Sequence, residues 1–348
     1  MILSTVSYSQ TAITDANFRT AINTCLTTNP VDGMCSDSEY GAMPDWDVSS
    51  VTYMANAFDD KTDFNADISS WDVSSVTQML FMFKEAISFN QDITGWNTAN
   101  VESMSNMFFY ATSFNQDIGS WNVGNVTQME GTFREATSFN QDIGSWDVSS
   151  VNNMRMMFWY APSFNQPIGD WDVSNVGSMT GMFAYTTAFN QPIGDWDVSS
   201  VTNMSSMFAY AESFNQDISN WCVTNIDSEP TDFSTDSPLS ESNKPVWGTC
   251  PKTPITDANF QSAINTCLST NPVDGMCTGS EFGAMPDWDV SQITDMSVAF
   301  NNRNDFNADI SSWDTSNVTN MGNMFANATS FNQDISSWDV GNVTDMYG

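Results

Sequence analysis

The sequence predicts a stacked-repeat solenoid. It should have one parallel sheet of short strands, short helical or 3₁₀ segments on the other side, and helical, disulfide-bonded caps. Three observations predict this. A unit typified by FNADISSWDVSSVTQMLFMFKEAIS returns every 25 residues, with Trp46, Trp71, Trp96, Trp121, Trp146, Trp171, Trp196 and Trp221, then Trp288, Trp313 and Trp338, marking the step. The apolar spacing changes within each unit. A helix-like stretch with two cysteines, residues 13–46, recurs at 255–288 with six differences. A strict period of this length marks a repeat protein, because one copy cannot bury its own apolar face.

The elements follow in order. Residues 1–43 read as an N-terminal helical cap. In ITDANFRTAINTCL, Phe18, Ala21, Ile22, Cys25 and Leu26 share one helical face, and Thr14 or Asp15 is placed to cap the start. The turn that follows returns Cys35 to Cys25, a short closure that stabilises by about 2–3 kcal/mol. Residues 44–226 are the first array. In its model unit, Ile68, Trp71 and Val73 have strand spacing. Val76, Met79, Met82, Phe83, Ala86 and Phe89 follow at steps of three or four, which reads as helix or 3₁₀. Residues 227–254 break the period and read as a closing cap and linker, tied by Cys222 and Cys250. Residues 255–285 are a second helical cap, with Cys267 and Cys277, and 286–348 a second, incomplete array. No closing cap follows it, so the chain is expected to continue or to associate end to end.

Composition narrows the function. Eight basic residues face 42 acidic ones, for a net charge of −34, and there is no His. That balance argues against nucleic acid and anionic membranes as partners. No apolar run is long enough to insert in a membrane, and the first ten residues do not read as a secretion leader. Six cysteines in three local pairs read as disulfides and place the protein outside the cytosol. Sequons at Asn125, Asn203, Asn317, Asn327 and Asn342 permit glycosylation. Without His there is no Ser-His-Asp arrangement. Carboxylate pairs such as Asp170 and Asp172 recur one unit later, unlike an active site, so no catalysis is expected.

The pattern W-D-V-S-x-V-T-x-M-x-x-M-F, followed by S-F-N-Q-D-I, resembles the BspA-like leucine-rich-repeat surface proteins in their Trp/Met/Phe-rich form. The resemblance covers nearly all of 44–226 and 286–346. It implies a leucine-rich-repeat-like solenoid, an extracellular or cell-surface location, and adhesion to a protein or glycan at a cell surface or in matrix. It implies no chemistry.

Two features are candidate sites. The residue after each Trp faces outward between inward neighbours, so Asp147, Asp172 and Asp197 form an acidic ladder. Ser and Thr hydroxyls or water would offset the repulsion; Ca²⁺ is the alternative. No other cofactor is expected. The second feature follows the column Phe: Lys84-Glu85, Phe109-Tyr110, Arg134-Glu135, Trp159-Tyr160, Ala184-Tyr185 and Ala209-Tyr210. A core column would not admit Lys, Arg and Glu. Trp159, Tyr160, Tyr185, Tyr210, Phe109 and Tyr110 should therefore form an exposed aromatic stripe, a contact surface for a partner. The alternative function is a structural or self-assembling extracellular component, with or without a dependence on calcium.

Overall fold

The computed structural model describes residues 11–251, 253–277 and 280–348; residues 1–10, where the first cap begins, lie outside them. The chain forms two compact units, Met1–Cys250 and Pro251–Gly348, each with its own hydrophobic core.

Each unit opens with a helix, α1 (Phe18–Thr28) and α2 (Phe260–Thr270). α1 buries Phe18, Ala21, Ile22, Cys25 and Leu26, the face set by their spacing. The start differs from expectation. Asn17 is the N-cap and makes no side-chain capping bond. Asp15 instead reaches the first repeat, where its carboxylate accepts from the Thr52 and Tyr53 amides and the Thr52 hydroxyl at 2.7–3.1 Å. In the next repeat Thr77 donates its amide to the Thr52 carbonyl. Thr52 has no earlier repeat to donate to, and Asp15 supplies the missing acceptor. Asp257 does the same for Thr294 in the second unit.

Successive repeats bond side by side. Parallel bridges join Tyr53, Gln78, Ser103, Gln128, Asn153, Ser178 and Asn203 in turn, and Asp295, Asn320 and Asp345 in the second unit. The local elements differ from those expected. Among the described residues no strand forms at Ile68–Val73, and the bridge is a single residue per repeat, at Gln78 and its equivalents. No helix forms over Val76–Phe89 either. The amides of Met79, Phe81, Phe83 and Glu85 donate sideways to carbonyls of Ser103, Ser105, Met107 and Phe109 in the next repeat. Those of Met82, Lys84 and Ala86 close four-residue β-turns. Phe81 and Glu85 take positive φ, as position i+2 of a type II turn requires. Tandem turns bring i and i+3 to one side as a helix does, so the apolar spacing could not separate the two.

The turns aim their apolar residues inward. Met79, Met82, Phe83, Ala86 and Phe89 are fully buried. Phe83 and Phe89 stack within a repeat at 4.1 Å, and Phe83 stacks on Phe108 of the next at 5.5 Å. The indoles form a parallel column, Trp96 on Trp121 at 6.2 Å. After the first Trp of each unit, which bonds within its own cap, each buried Trp of the column donates its Nε1–H to a carbonyl 28 residues earlier: Trp96 to Ile68, Trp121 to Ile93, Trp146 to Ile118. That burial leaves the indole faces closed to a ligand. The Asn column is a second ladder, in which Asn65 Oδ1 accepts the Asn90 amide and Asn90 Oδ1 the Asn115 amide.

Residues 227–250 continue the ladder and then stop it. Phe208 and Tyr210 donate to the carbonyls of Phe233 and Thr235. The Phe233 ring stands at 90° to Phe208, ending the parallel stack, and Trp247 packs edge-on against Phe233. Disulfides join Cys25 to Cys35, Cys222 to Cys250 and Cys267 to Cys277. Three disulfides point to a non-cytosolic compartment. Among the described residues no helix is long and apolar enough to cross a membrane.

Phe133→Ala, in the middle of the stack, should lower the unfolding free energy by about 3–5 kcal/mol. Asp15→Ala should lower it by about 1 kcal/mol, since its bonds lie near solvent. Urea melts of the two variants test this ranking.

Candidate binding surface

The acidic ladder is built by the turn after each Trp. Asp147, Asp172 and Asp197 are exposed. Their Oδ1 atoms accept the amides of Ser149, Ser174 and Ser199 at 3.0–3.1 Å. The hydroxyls of Ser149 and Ser174 add bonds of 2.6 Å. Each carboxylate thus closes its own turn, with the next residue but one as donor. The Ser149 hydroxyl and amide hold the Asp147 carboxyl below the usual aspartate range, against an upward push from burial and from Asp172. The Ser174 hydroxyl and amide do the same for Asp172. Asn97 and Asn122 fill this place in two repeats and accept the equivalent amide. The position therefore needs an acceptor oxygen, and a charge is optional. Among the described residues no three acidic or sulfur side chains converge as a metal-ligand set.

Of the predicted stripe, the rings from Trp159 to Tyr210 form one run of contacts. Trp159 lies 5.9 Å from Tyr160 and 5.7 Å from Tyr185, between ring centroids. Tyr160 lies 6.0 Å from Tyr185, and Tyr185 stacks on Tyr210 at 4.5 Å with planes 8° apart. Phe109 and Tyr110 form a separate edge-to-face pair at 6.5 Å. Tyr110, Tyr160 and Tyr210 are 40%, 47% and 37% exposed, while Trp159, Tyr185 and Phe109 are half-buried.

One residue joins the two groups, and the sequence reading passed over it. The Arg134 guanidinium carbon lies 4.7 Å from the Phe109 ring centre and 4.7 Å from that of Trp159. A cation between two ring faces is an attractive arrangement of the ring quadrupoles. The signal was present in the column Lys84, Phe109, Arg134, Trp159, where cation and ring alternate at the 25-residue step.

The Tyr column also carries backbone strain. Tyr110, Tyr160, Tyr185 and Tyr210 have φ of 59°, 54°, 59° and 57°. Asp60, Asp236, Asn302 and Asn327 occupy the same place in four other repeats, and Glu85 and Glu135 in two more. Asn and Asp enter the left-handed region readily, whereas a bulky ring there is uncommon. The backbone permits Tyr at these positions and does not favour it.

Four outcomes follow for the ladder. The double variant Asp147→Asn, Asp172→Asn keeps both acceptor oxygens and should match wild-type stability at neutral pH; Asp172→Ala should cost about 1 kcal/mol. Because both carboxyls are depressed in the folded state, their contribution is complete above the ordinary aspartate value, about 3.9. It is lost as pH falls through their lower folded values. Acid melts should therefore show a smaller drop for the double Asn variant than for wild type. Millimolar Ca²⁺ should leave the melting temperature of both unchanged.

Residues 31–145, 127–245 and 274–348, together most of the chain, match a single family. The first two stretches overlap, as a repeated unit allows. No curated protein matches the chain. The chain belongs to the family described as Mycoplasma protein of unknown function, DUF285.

Proposed function

We propose that this chain is a leucine-rich-repeat-like solenoid of the BspA-like kind, held outside the cytosol, that binds a protein or glycan partner and performs no catalysis. The contact surface is the stripe running from Phe109 and Tyr110 through Trp159 and Tyr160 to Tyr185 and Tyr210.

One observation carries this reading. Four tyrosines, three of them exposed, occupy left-handed positions that Asp, Asn or Glu fill in the other repeats. Stability alone would select the smaller polar residues at such positions, and strain retained on a surface is a mark of function. The rings are also contiguous, as hot-spot aromatics at interfaces are. The three disulfides suit an oxidising compartment.

The test separates binding from folding. The triple variant Tyr160→Asn, Tyr185→Asn, Tyr210→Asn should bind immobilised matrix proteins or an array of glycans at least about tenfold more weakly than wild type, since an aromatic hot spot contributes 2 kcal/mol or so. Its melting temperature should not fall, because relief of the left-handed tyrosines, on the order of 1 kcal/mol each, offsets the lost ring contacts. Unchanged binding would remove the stripe as the contact surface. A large loss of stability would show that the rings serve packing.

A further inference from the structure

The order of groups along the stripe defines a slot for a cationic side chain. In one column Phe109, Arg134 and Trp159 follow on consecutive repeats, and the guanidinium sits between the two rings with 4.7 Å on each side. In the adjoining column the same three repeats carry Tyr110, Glu135 and Tyr160. The pattern is ring, charge, ring again, with a carboxylate in place of the guanidinium. Two strand steps of about 4.8 Å set the spacing of both columns. The occupied column shows that this spacing accepts a planar cation between rings.

Glu135 is suited to receive one. Its side chain is 21% exposed, and its nearest cation is the Arg134 Nε at 3.5 Å, beyond a normal hydrogen bond. Arg134 Nε is itself buried without a hydrogen-bond partner. By contrast Glu85, the equivalent residue one repeat before Tyr110, shares Lys84 with Asp59 and Asp60. The remaining rings of the stripe are engaged with each other. Tyr185 and Tyr210 stack face to face, and Trp159 has Arg134 over its ring and the Tyr185 ring against it edge to face. A sugar needs an open ring face as its platform. Tyr110 and Tyr160, on the repeats either side of Glu135, are 40% and 47% exposed. With a net charge of −34 over the chain, a cation is also steered toward this surface.

We infer that Tyr110, Glu135 and Tyr160 form a recognition slot for an arginine side chain of a partner polypeptide. The rings take the two faces of the guanidinium and the Glu135 carboxylate its N–H groups. This inference rests on the stripe being a contact surface and names the chemistry of what it contacts.

Calorimetric titration of the full chain with hexa-arginine and hexa-lysine peptides tests it, at physiological salt, where distant charges are screened over about 8 Å. Hexa-arginine should bind at least about fivefold more tightly than hexa-lysine, because a planar guanidinium stacks where an ammonium does not. Glu135→Gln should weaken hexa-arginine by about fivefold or more, as should the pair Tyr110→Asn, Tyr160→Asn. Glu102→Gln, the same change of charge off the stripe, should leave affinity unaltered, and thermal melts establish that all variants are folded. Equal affinity for the two peptides, or equal effects of Glu135→Gln and Glu102→Gln, would overturn the slot and leave only bulk charge. If the Tyr160, Tyr185, Tyr210 variant loses a glycan or protein partner that Glu135→Gln still binds, the contact surface stands and the slot falls.

Discussion

An amide in one repeat must meet a carbonyl in its neighbour at every 25-residue step, and the rest of the structure answers to that constraint. The sideways bonds of Met79, Phe81, Phe83 and Glu85 take alternate amides out of local use. The intervening amides can then close only four-residue β-turns, so a helix cannot form there. The turns in turn place Met79, Met82, Phe83 and Phe89 on the inner side, where equivalent residues stack. After the first Trp of each unit, the buried indole N–H groups of the column add bonds between repeats from inside the core. Burying the indole leaves its polar edge satisfied, which a core Trp requires.

The same constraint explains the ends. A first repeat has amides with no earlier carbonyl, and Asp15 and Asp257 supply carboxylates to them. Burial pushes the Asp15 carboxyl up, yet the bonds from Thr52 and Tyr53 outweigh it and hold it below the ordinary range. At the far side of the first unit, residues 227–250 offer the carbonyls of Thr231, Phe233 and Thr235 and turn one ring across the stack. Caps here are defined by the hydrogen bonds they complete as much as by the apolar surface they cover.

How much of this could be read from the sequence depended on what repeats. Columns of identical residues at a fixed step exposed the unit, the inward Trp and Phe, and the three cysteine pairs. The local conformation stayed hidden, because Val76, Met79, Met82, Phe83 and Ala86 have the same spacing in tandem turns as in a helix. Strand spacing at Ile68, Trp71 and Val73 misled for a related reason: alternation marks which side chains point inward, and turns can alternate without pairing. The aromatic stripe was legible because Lys, Arg and Glu share its columns. Arg134 as the link between Phe109 and Trp159, and the left-handed backbone under Tyr110, Tyr160, Tyr185 and Tyr210, were not, since both depend on contacts between repeats.

Hydrogen exchange of the folded chain, followed by NMR, measures the inter-repeat bonds directly. The indole N–H groups of Trp96, Trp121, Trp146, Trp171 and Trp196, and the amides of Phe83, Phe108, Phe133 and Phe158, should exchange only through unfolding of the array, with one shared free energy. Exchange of those indoles at the rate of exposed groups, or protection that differs at random from one repeat to the next, would contradict a structure in which each repeat is bonded to its neighbours from within.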